Sequence, residues 1–580
     1  MSSSFPIELW RMTVQNSTRP DLKALSSSCR LFRDICQPLL FQNLGFTAPF
    51  PIDLSPVNCK STIRKMKRDR DRLICIASSE GFPAMVHSWV FHCIPDVRNL
   101  LDESKSPLPY HPRMKQVVEL SLAIASHFSS TIGIYTNLST LDITGFDLSP
   151  EFCEALASLP KLSGMYLGGC RITCPASVGG VALEKFTYSY PGLEWQDDIA
   201  ERYHLVTTSK LTTLSLDQPV PAKVFLSVFA ASGPLPRLVK LTLCLGYDAK
   251  DLFYRFIDCC TAVTDLEIHV PVTFAGVALP ETSIPMLDSF KGRIEVASAF
   301  AAGRPVRKMT LENIPENPED DGPADKAVIE YALTQISESS ATLEDLTLPF
   351  ISLDSSVLRL TSEVFPKLKS LMFFLRNTGT LQTNEIHSDE EDWETVDGSV
   401  DDADDGVVDI QQDDGGAAQI LGEQGLAYNI LKTLLTMSVG QTSAVDDALQ
   451  REDSDDDCKS DTIEWPPDDA GGSRTYEDIK LDSFEHFLVS LGNDSLPLPR
   501  NIRYLGIAQI PRAPNEKTMS DADISSVVEK LGARYAGLRK VVVGIVPRAW
   551  EKKRGQWKPP NPHSRNPALD AAAIRLILSS

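Results

Sequence analysis

A short apolar pattern recurs along the chain and constrains its fold more than any other feature. In each copy an apolar residue is followed three positions later by a second and two positions after that by a third, as in Leu138, Leu141 and Ile143. The next copy begins at Leu162, a spacing of 24 residues. Apolar residues two apart are typical of a strand with one buried face. A period of roughly 20–29 residues leaves room for a strand and one outer helix in each repeat.

The pattern divides much of the chain into repeats. Its copies begin at Val86, Val117, Leu138, Leu162, Leu183, Leu211, Leu238, Val263, Val306, Leu343, Leu368, Ile502 and Leu538, with one degenerate copy within Met286–Gly292. Between copies the apolar spacing becomes helical. Ser149, Pro150 and Glu151, for example, are an N-cap, a first-turn proline and an early acid. These alternations predict an α/β fold with parallel strands inside and helices outside. Neighbouring repeats would stack and bury the apolar strand residues that a single repeat would leave exposed.

Strand alternation also predicts which side chains form the uncovered face of this sheet. Residues between the buried positions should line that face, and we take it as a candidate substrate-binding surface, although any single residue there could be ordinary solvated strand surface. The candidates are Thr213, Ser215, Asp217, Lys240, Thr242, Asp265, Glu267, His269, Ser370, Met372 and Phe374.

The regular spacing is interrupted between Phe373 and Ile502 by an acidic stretch. Residues 384–470 contain 26 acidic and 3 basic residues, a charge of −23, so the rest of the chain carries +1 of the net charge of −22 and is close to neutral. Such a composition favours disorder over 384–475. An apolar segment at 420–439 predicts a helix, either the displaced outer helix of a repeat or a helix that binds a partner. Three serines precede acidic residues and are candidate phosphorylation sites, or parts of an unmodified solvated loop: Ser388, Ser399 and Ser454.

The first forty residues predict three short helices. Pro6 stands where a helix can begin, and Asp21 is a plausible N-cap for the second helix. Leu31, Ile35 and Leu39 repeat at four-residue steps. A module of this length cannot bury enough surface to be stable alone, so it should pack on the next domain or on a partner.

This N-terminal stretch resembles the F-box family. The family pattern is Leu-Pro-x-Glu-(Leu/Ile), then Asp-Leu-x-x-Leu, then Val-Cys-(Arg/Lys)-x-Trp-Arg. The matching residues are Pro6, Glu8, Leu9, Asp21, Leu22, Leu25, Cys29, Arg30 and Arg33, with Phe32 in the aromatic position. The repeats resemble irregular leucine-rich repeats, and the combination resembles fungal-type F-box proteins.

The resemblance implies a partner and a role. The N-terminal helices would dock the Skp adaptor of a cullin–RING ubiquitin ligase, and the repeats would hold an unknown target protein. The residues that would contact the adaptor are Pro6, Ile7, Leu9, Leu22, Leu25 and Phe32. The departures at Phe5 and Ser28 leave an alternative open, a leucine-rich-repeat scaffold with a vestigial F-box that works outside any ligase.

Other functions receive less support from the sequence. The basic stretch Lys60–Arg72 could bind nucleic acid, but no aromatic residues interleave for base stacking, and a solvated helix or linker explains it as well. We find no phosphate-binding, dinucleotide, zinc-protease or serine-hydrolase motif, and we predict neither a catalytic residue, nor a metal site, nor a cofactor. No signal peptide and no apolar run of roughly 18 residues is visible, so we expect a cytoplasmic or nuclear protein that does not enter membranes.

The predicted organisation has six parts. They are an F-box-like module (1–48), a basic linker with transition helices (49–85), a leucine-rich-repeat-like array (86–383), an acidic insertion (384–475), the final repeats (476–548) and a basic, Pro-rich tail with a terminal helix (549–580).

Overall fold

The computed structural model describes most of the chain outside the acidic stretch. The described residues are 6–48, 56–93, 112–172, 180–189, 205–246, 249–269, 279–313, 326–339, 342–351, 355–376, 484–493, 496–510, 519–544 and 548–559. The predicted insertion 384–475, its helix near 420–439 and the terminal helix within 549–580 lie outside these residues.

The described residues form thirteen α-helices, which we number in chain order. They are Ile7–Val14 (α1), Arg19–Ser28 (α2), Arg30–Phe41 (α3), Pro56–Ser78 (α4), Pro112–Thr131 (α5), Pro150–Ala157 (α6), Pro219–Ala231 (α7), Lys250–Asp258 (α8), Ile294–Ala301 (α9), Lys326–Ser339 (α10), Ser355–Val364 (α11), Phe484–Gly492 (α12) and Asp521–Arg534 (α13).

The same residues form eighteen strands. They are Asn43–Thr47 (β1), Ser88–His92 (β2), Thr140–Thr144 (β3), Asp147–Leu148 (β4), Gly164–Gly168 (β5), Arg171–Ile172 (β6), Lys185–Ser189 (β7), Thr213–Leu216 (β8), Lys240–Cys244 (β9), Asp265–His269 (β10), Ser289–Arg293 (β11), Lys308–Glu312 (β12), Asp345–Ile351 (β13), Ser370–Arg376 (β14), Tyr504–Ile510 (β15), Lys540–Gly544 (β16), Arg548–Lys553 (β17) and Gln556–Lys558 (β18).

Sixteen of these strands make one sheet whose spatial order follows the chain order. The sheet runs from β1 to β18 without β4 and β6, which pair with each other. Every pairing from β1 to β16 is parallel. A parallel strand needs a crossover before the next one, and the helices supply most of these crossovers. The protein is therefore a mixed α/β structure with a large parallel sheet.

One face of the sheet is buried against the helices in a continuous apolar core. In β9, for example, Leu241 and Leu243 are buried, whereas Lys240 is exposed and Thr242 and Cys244 are half-buried. The apolar helix residues Phe229, Phe253 and Phe256 belong to the same core. We call the opposite face, which carries residues such as Lys240 and Thr242, the open face.

Most of the predicted strands are confirmed. Every predicted copy except that at Val117 lies on a strand of the sheet, including the degenerate copy within Met286–Gly292, which leads into β11. The outer helix after Ser149 is confirmed as well, since the Ser149 side chain accepts a hydrogen bond from the Phe152 backbone N–H at 3.3 Å.

The copy predicted at Val117 is wrong, because these residues lie in helix α5. Phe128 of this helix stacks on Phe91 with ring centroids 4.1 Å apart, and both rings are fully buried. The segment Lys115–Ile134 is also long and apolar enough to cross a membrane by length and composition alone, contrary to the expectation that the sequence has no such run. One side of this helix, which includes Val117, Ile124 and Phe128, is buried against the sheet, whereas Leu122 is exposed.

Both ends of the sheet differ from the expected boundaries. Strand β1 falls within the predicted helical module 1–48, yet it pairs with β2 and buries Leu44 and Phe46. Phe41, Leu44 and Phe46 have the apolar spacing of the other strand copies. The strand was not predicted because helical spacing immediately precedes it. At the other end, part of the predicted basic tail forms an antiparallel hairpin, β17–β18, that turns at Arg554 and Gly555 with positive φ angles.

Candidate functional site

The N-terminal helices α1–α3 form a small module with a core of its own. That core contains Val14, Leu22, Ile35 and Cys36, and it is separate from the core under the sheet. Trp10 of α1 packs edge-on against Phe32 of α3 with ring centroids 5.0 Å apart. The three predicted helices are thus present, and we call them the helical module.

The helical module contacts the rest of the protein through the end of α3. Phe41 packs edge-on against Phe82, with ring centroids 4.8 Å apart, and it borders the core under the sheet. Helix α3 is followed directly by the edge strand β1. This arrangement leaves most of α1 and α2 in contact with solvent.

The start of α2 differs from the prediction. Thr18, not Asp21, is the N-cap: its side-chain oxygen accepts a hydrogen bond from the Asp21 backbone N–H at 3.5 Å. The Asp21 carboxylate in turn accepts the Thr18 backbone N–H at 3.3 Å. The two residues form a reciprocal capping box that ties down free N–H groups at the helix start.

Five of the six residues predicted to contact an adaptor reach the surface of the helical module. Pro6, Ile7 and Leu9 are exposed, and Leu25 and Phe32 are half-buried. Leu22 is the exception: only 7% of it is exposed, because it lies in the small core. The prediction that Leu22 contacts an adaptor is therefore corrected. The three-residue spacing of Leu22 and Leu25 marks the side of α2 that faces the small core.

Exposed apolar side chains extend beyond the predicted set. Met12 of α1 and Leu31 of α3 are exposed as well, which the family pattern did not single out. Together with Ile7 and Leu9 they give this small module four large exposed apolar side chains. Such a concentration is typical of a surface that binds another protein.

The open face carries most of the predicted substrate-binding residues in register. Thr213, Lys240 and Asp265 pair across β8–β10, and Ser215, Thr242 and Glu267 form the parallel row beside them. Asp217 follows β8 and is exposed, and its carboxylate accepts a hydrogen bond from the Ser215 hydroxyl at 2.8 Å. On β14, Ser370 and Met372 are half-buried.

Phe374 keeps the predicted alternation but is covered. Phe373 and Leu375 belong to the core under the sheet, whereas Phe374 is only 4% exposed and packs with Met372 and Ala508 in a separate cluster. The apolar cluster predicted there exists, but Phe374 is covered by its neighbours. It is therefore part of the sheet's packing and not of an accessible surface.

Four charged residues of the open face form a compact cluster on β10–β12. The Lys291 ammonium lies 2.5 Å from Glu267 Oε1 and 3.0 Å from Glu312 Oε1. His269 Nε2 lies 3.6 Å from Glu267 Oε1, and its Nδ1 lies 3.2 Å from Glu312 Oε2. Thr242 adds a long hydrogen bond to Glu267 Oε2 at 3.5 Å. We call Glu267, His269, Lys291 and Glu312 the charged cluster.

The charged cluster holds its members in their ionised forms. The contact with His269 lowers the pKa of Glu267 to about 2, against the opposing effect of burial and with help from Lys291. Burial alone would lower the pKa of His269, but Glu267 and Glu312 together raise it to about 9. Burial would raise the pKa of Glu312, yet His269 and Lys291 lower it. Ionised opposite charges stabilise each other when they are partly shielded from water.

Two carboxylates and two cations make the cluster nearly neutral, and each charge is satisfied mainly by the others. Glu312 is only 9% exposed, and its Oε2 lacks a well-aligned hydrogen bond from a described residue, although His269 Nδ1 is close. The cluster thus presents fixed polar groups on the open face.

The sequence pattern found only part of this cluster. Glu267 and His269 follow from the alternation in β10, and Glu312 stands at the equivalent position of β12. Lys291 was missed because its repeat is degenerate, with Gly292 in place of a third apolar residue. The aligned registers of β10–β12 could have revealed it, since Lys291 pairs with Glu267. The candidate phosphorylation sites Ser388, Ser399 and Ser454 lie outside the described residues.

Comparison with known proteins adds no relative. No protein-family model matches this chain, and no curated protein matches its sequence.

Proposed function

We propose that this chain is a non-catalytic substrate receptor of a cullin–RING ubiquitin ligase. In this proposal the helical module is an F-box that docks the Skp adaptor, and the parallel sheet with its helices is a leucine-rich-repeat solenoid that holds a target protein. The receptor forms and breaks no bond, and it acts by placing the target near the ubiquitin-carrying enzyme. Its site of action would be the cytoplasm or the nucleus.

One observation carries the proposal. A three-helix module with its own core exposes Ile7, Leu9, Met12 and Leu31, and these residues lie in and beside the stretch that resembles the F-box. Burial of such side chains in a partner is favourable at about 25 cal/mol per Å² of apolar surface. The strand order, which follows the chain order, and the repeat period support the second half of the proposal.

Co-purification with the Skp adaptor tests the proposal. We expect the full chain to bind the adaptor and the double variant Pro6→Ala, Leu9→Ala to lose binding by about tenfold or more, because a few central anchors dominate protein interfaces. Leu122→Ala is a matched control, since Leu9 and Leu122 are helical leucines that are both 42% exposed. It should bind the adaptor like the unaltered chain.

Two outcomes would overturn the proposal. Undiminished adaptor binding by the double variant would remove the helical module from the interface. No binding by the unaltered chain would favour the alternative, an interaction scaffold in which the helical module is a structural cap of the sheet.

A further inference from the structure

The residues immediately before strands β12–β16 form a row at the N-terminal ends of these strands. The backbone carbonyl of Arg307 accepts the Glu344 N–H at 2.9 Å, that of Glu344 accepts the Lys369 N–H at 2.7 Å, and that of Lys369 accepts the Arg503 N–H at 2.7 Å. The carbonyl of Arg503 then accepts the Arg539 N–H at 2.8 Å. Neighbouring strands are roughly 4.8 Å apart, so this ladder fixes five side chains in one row.

This row is strongly basic and borders a cleft. Four of its five residues are Arg or Lys, and the turns before β14 and β15 add Lys367 and Arg500. A cleft of about 590 Å³ opens there. Its charged lining consists of Arg307, Glu344, Lys367, Lys369, Arg500 and Arg503. We call it the basic cleft.

The single carboxylate in the lining does not neutralise the basic cleft. Glu344 pairs with Lys369 at 2.6 Å, and this contact lowers the Glu344 pKa, with further contributions from Arg307 and Arg503. Arg307 also pairs with Asp288. Arg500 and Arg503 are exposed and form no ion pair with any residue that the structure describes. Two guanidinium groups at the cleft are thus available for an outside anion.

The geometry of the basic cleft selects among anions. Planar guanidinium groups match both carboxylates and phosphates in bidentate geometry, so the choice of ligand depends on the shape and extent of the row. The cleft lining contains no aromatic side chain, so it offers no platform on which the bases of a single-stranded nucleic acid could stack. From Arg307 to Arg503 the row covers three strand spacings, roughly 14 Å, which is the length of roughly four residues of extended peptide. Several carboxylates along one peptide fit this row better than a single compact anion.

We propose that the basic cleft binds an acidic peptide segment of a partner protein, with Arg500 and Arg503 as its principal contacts. This surface lies at the N-terminal ends of the strands and is distinct from the helical module and from the charged cluster. The inference goes beyond the proposed function, and it holds or fails without reference to adaptor binding.

Fluorescence anisotropy with the full chain tests this assignment. The probe is a short labelled peptide of alternating Glu and Ser, and the comparison peptide has Gln in place of Glu. We expect the Glu peptide alone to bind, with an affinity that falls as salt rises, because exposed ion pairs are screened. The double variant Arg500→Gln, Arg503→Gln should bind it about tenfold more weakly. Both side chains are exposed, and unchanged thermal unfolding will show that the variant is folded.

A matched variant separates a specific site from general attraction. Arg64→Gln with Lys65→Gln removes the same charge from the exposed side of α4, and it should leave peptide binding unchanged. An equal loss in both double variants, or no binding of the Glu peptide to the unaltered chain, would overturn the proposal. Equally tight binding of an oligothymidine that is lost in Arg500→Gln, Arg503→Gln would also overturn it, since the occupant would then be a nucleic acid.

Discussion

At the scale of single residues, His269 makes the stability of the open face depend on pH. Its pKa is raised from 6.5 to about 9 in the folded protein. A raised pKa means that protonation favours the folded state, so this contribution is complete below pH 6.5 and is lost as pH rises through about 9. Glu267 behaves oppositely: its pKa is lowered to about 2, and its contribution is lost only in strong acid.

His269→Gln should therefore lower the thermal unfolding midpoint most near pH 6 and progressively less toward pH 9. We expect a destabilisation on the order of 1–2 kcal/mol at the lower pH, because the cluster is partly open to water. His87→Gln is the control, since His87 is exposed before β2 and is not part of the charged cluster. A difference between His269→Gln and the unaltered chain that stays constant from pH 6 to pH 9 would contradict this account.

Residue-level patterns predicted which positions face which side, but not which charges meet. The alternation in β10 identified Glu267 and His269, because each strand residue points opposite to its neighbours. Their partner Lys291 depends on the register of β11, which a degenerate repeat does not reveal. Leu22 was misassigned for a related reason: spacing along one helix does not distinguish the side that packs on α3 from the side that faces a partner.

At the scale of elements, local spacing alone gave one wrong strand. Val117, Leu120 and Leu122 fit the strand pattern, yet α5 extends over 20 residues. Within this helix Val117, Ile124 and Phe128 are buried, whereas Leu122 is exposed. Apolar residues at i, i+3 and i+5 occur in helices as well as in strands. The length of the apolar segment is then the feature that distinguishes a helix from a strand.

The edge strand β1 provides a second prediction at this scale. A chain that begins at Gln42 keeps β1, whereas a chain that begins at Pro49 loses its pairing with β2 and the buried Leu44 and Phe46. Each large apolar side chain contributes about 1.5–3 kcal/mol when buried. We expect the first chain to retain the unfolding midpoint of the sheet and the second to unfold at lower temperature and to aggregate through the exposed edge of β2.

Thermal unfolding followed by light scattering checks this expectation. Equal midpoints for the two shortened chains would show that β1 contributes little to the sheet. For adaptor experiments the cut before Gln42 is the better choice, because it removes the helical module without opening the sheet.

At the scale of the whole molecule, the parallel order of the sheet was predictable and its ends were not. A period of about 24 residues is long enough for one strand and one crossover connection. Strands that are consecutive in the chain are therefore expected to be neighbours in the sheet. The ends have no neighbouring repeat to impose that period. There the chain uses β1, taken directly from the end of α3, and the antiparallel hairpin β17–β18. Neither follows from the repeat pattern, because each element pairs with the last strand at one end of the sheet, where the repeats stop.

The two separate cores predict two units that open independently. Leu241 is fully buried in the middle of the sheet, and replacing such a leucine with alanine costs about 2–5 kcal/mol. In a sheet built by stacking, this loss should act mainly on neighbouring strands. We therefore expect Leu241→Ala to speed amide hydrogen exchange in β8–β10 and to leave α1–α3 unchanged, since the helical module has a core of its own.

The reciprocal variant completes this prediction. Leu22→Ala removes a buried side chain from the small core, so it should speed exchange in α1–α3 while β8–β10 keep their protection. Hydrogen exchange with mass spectrometry measures both regions in one experiment. If either variant changed exchange in both regions, the two cores would open together. In that case loss of adaptor binding in any variant of the helical module would have to be separated from unfolding of the sheet before the contact could be assigned.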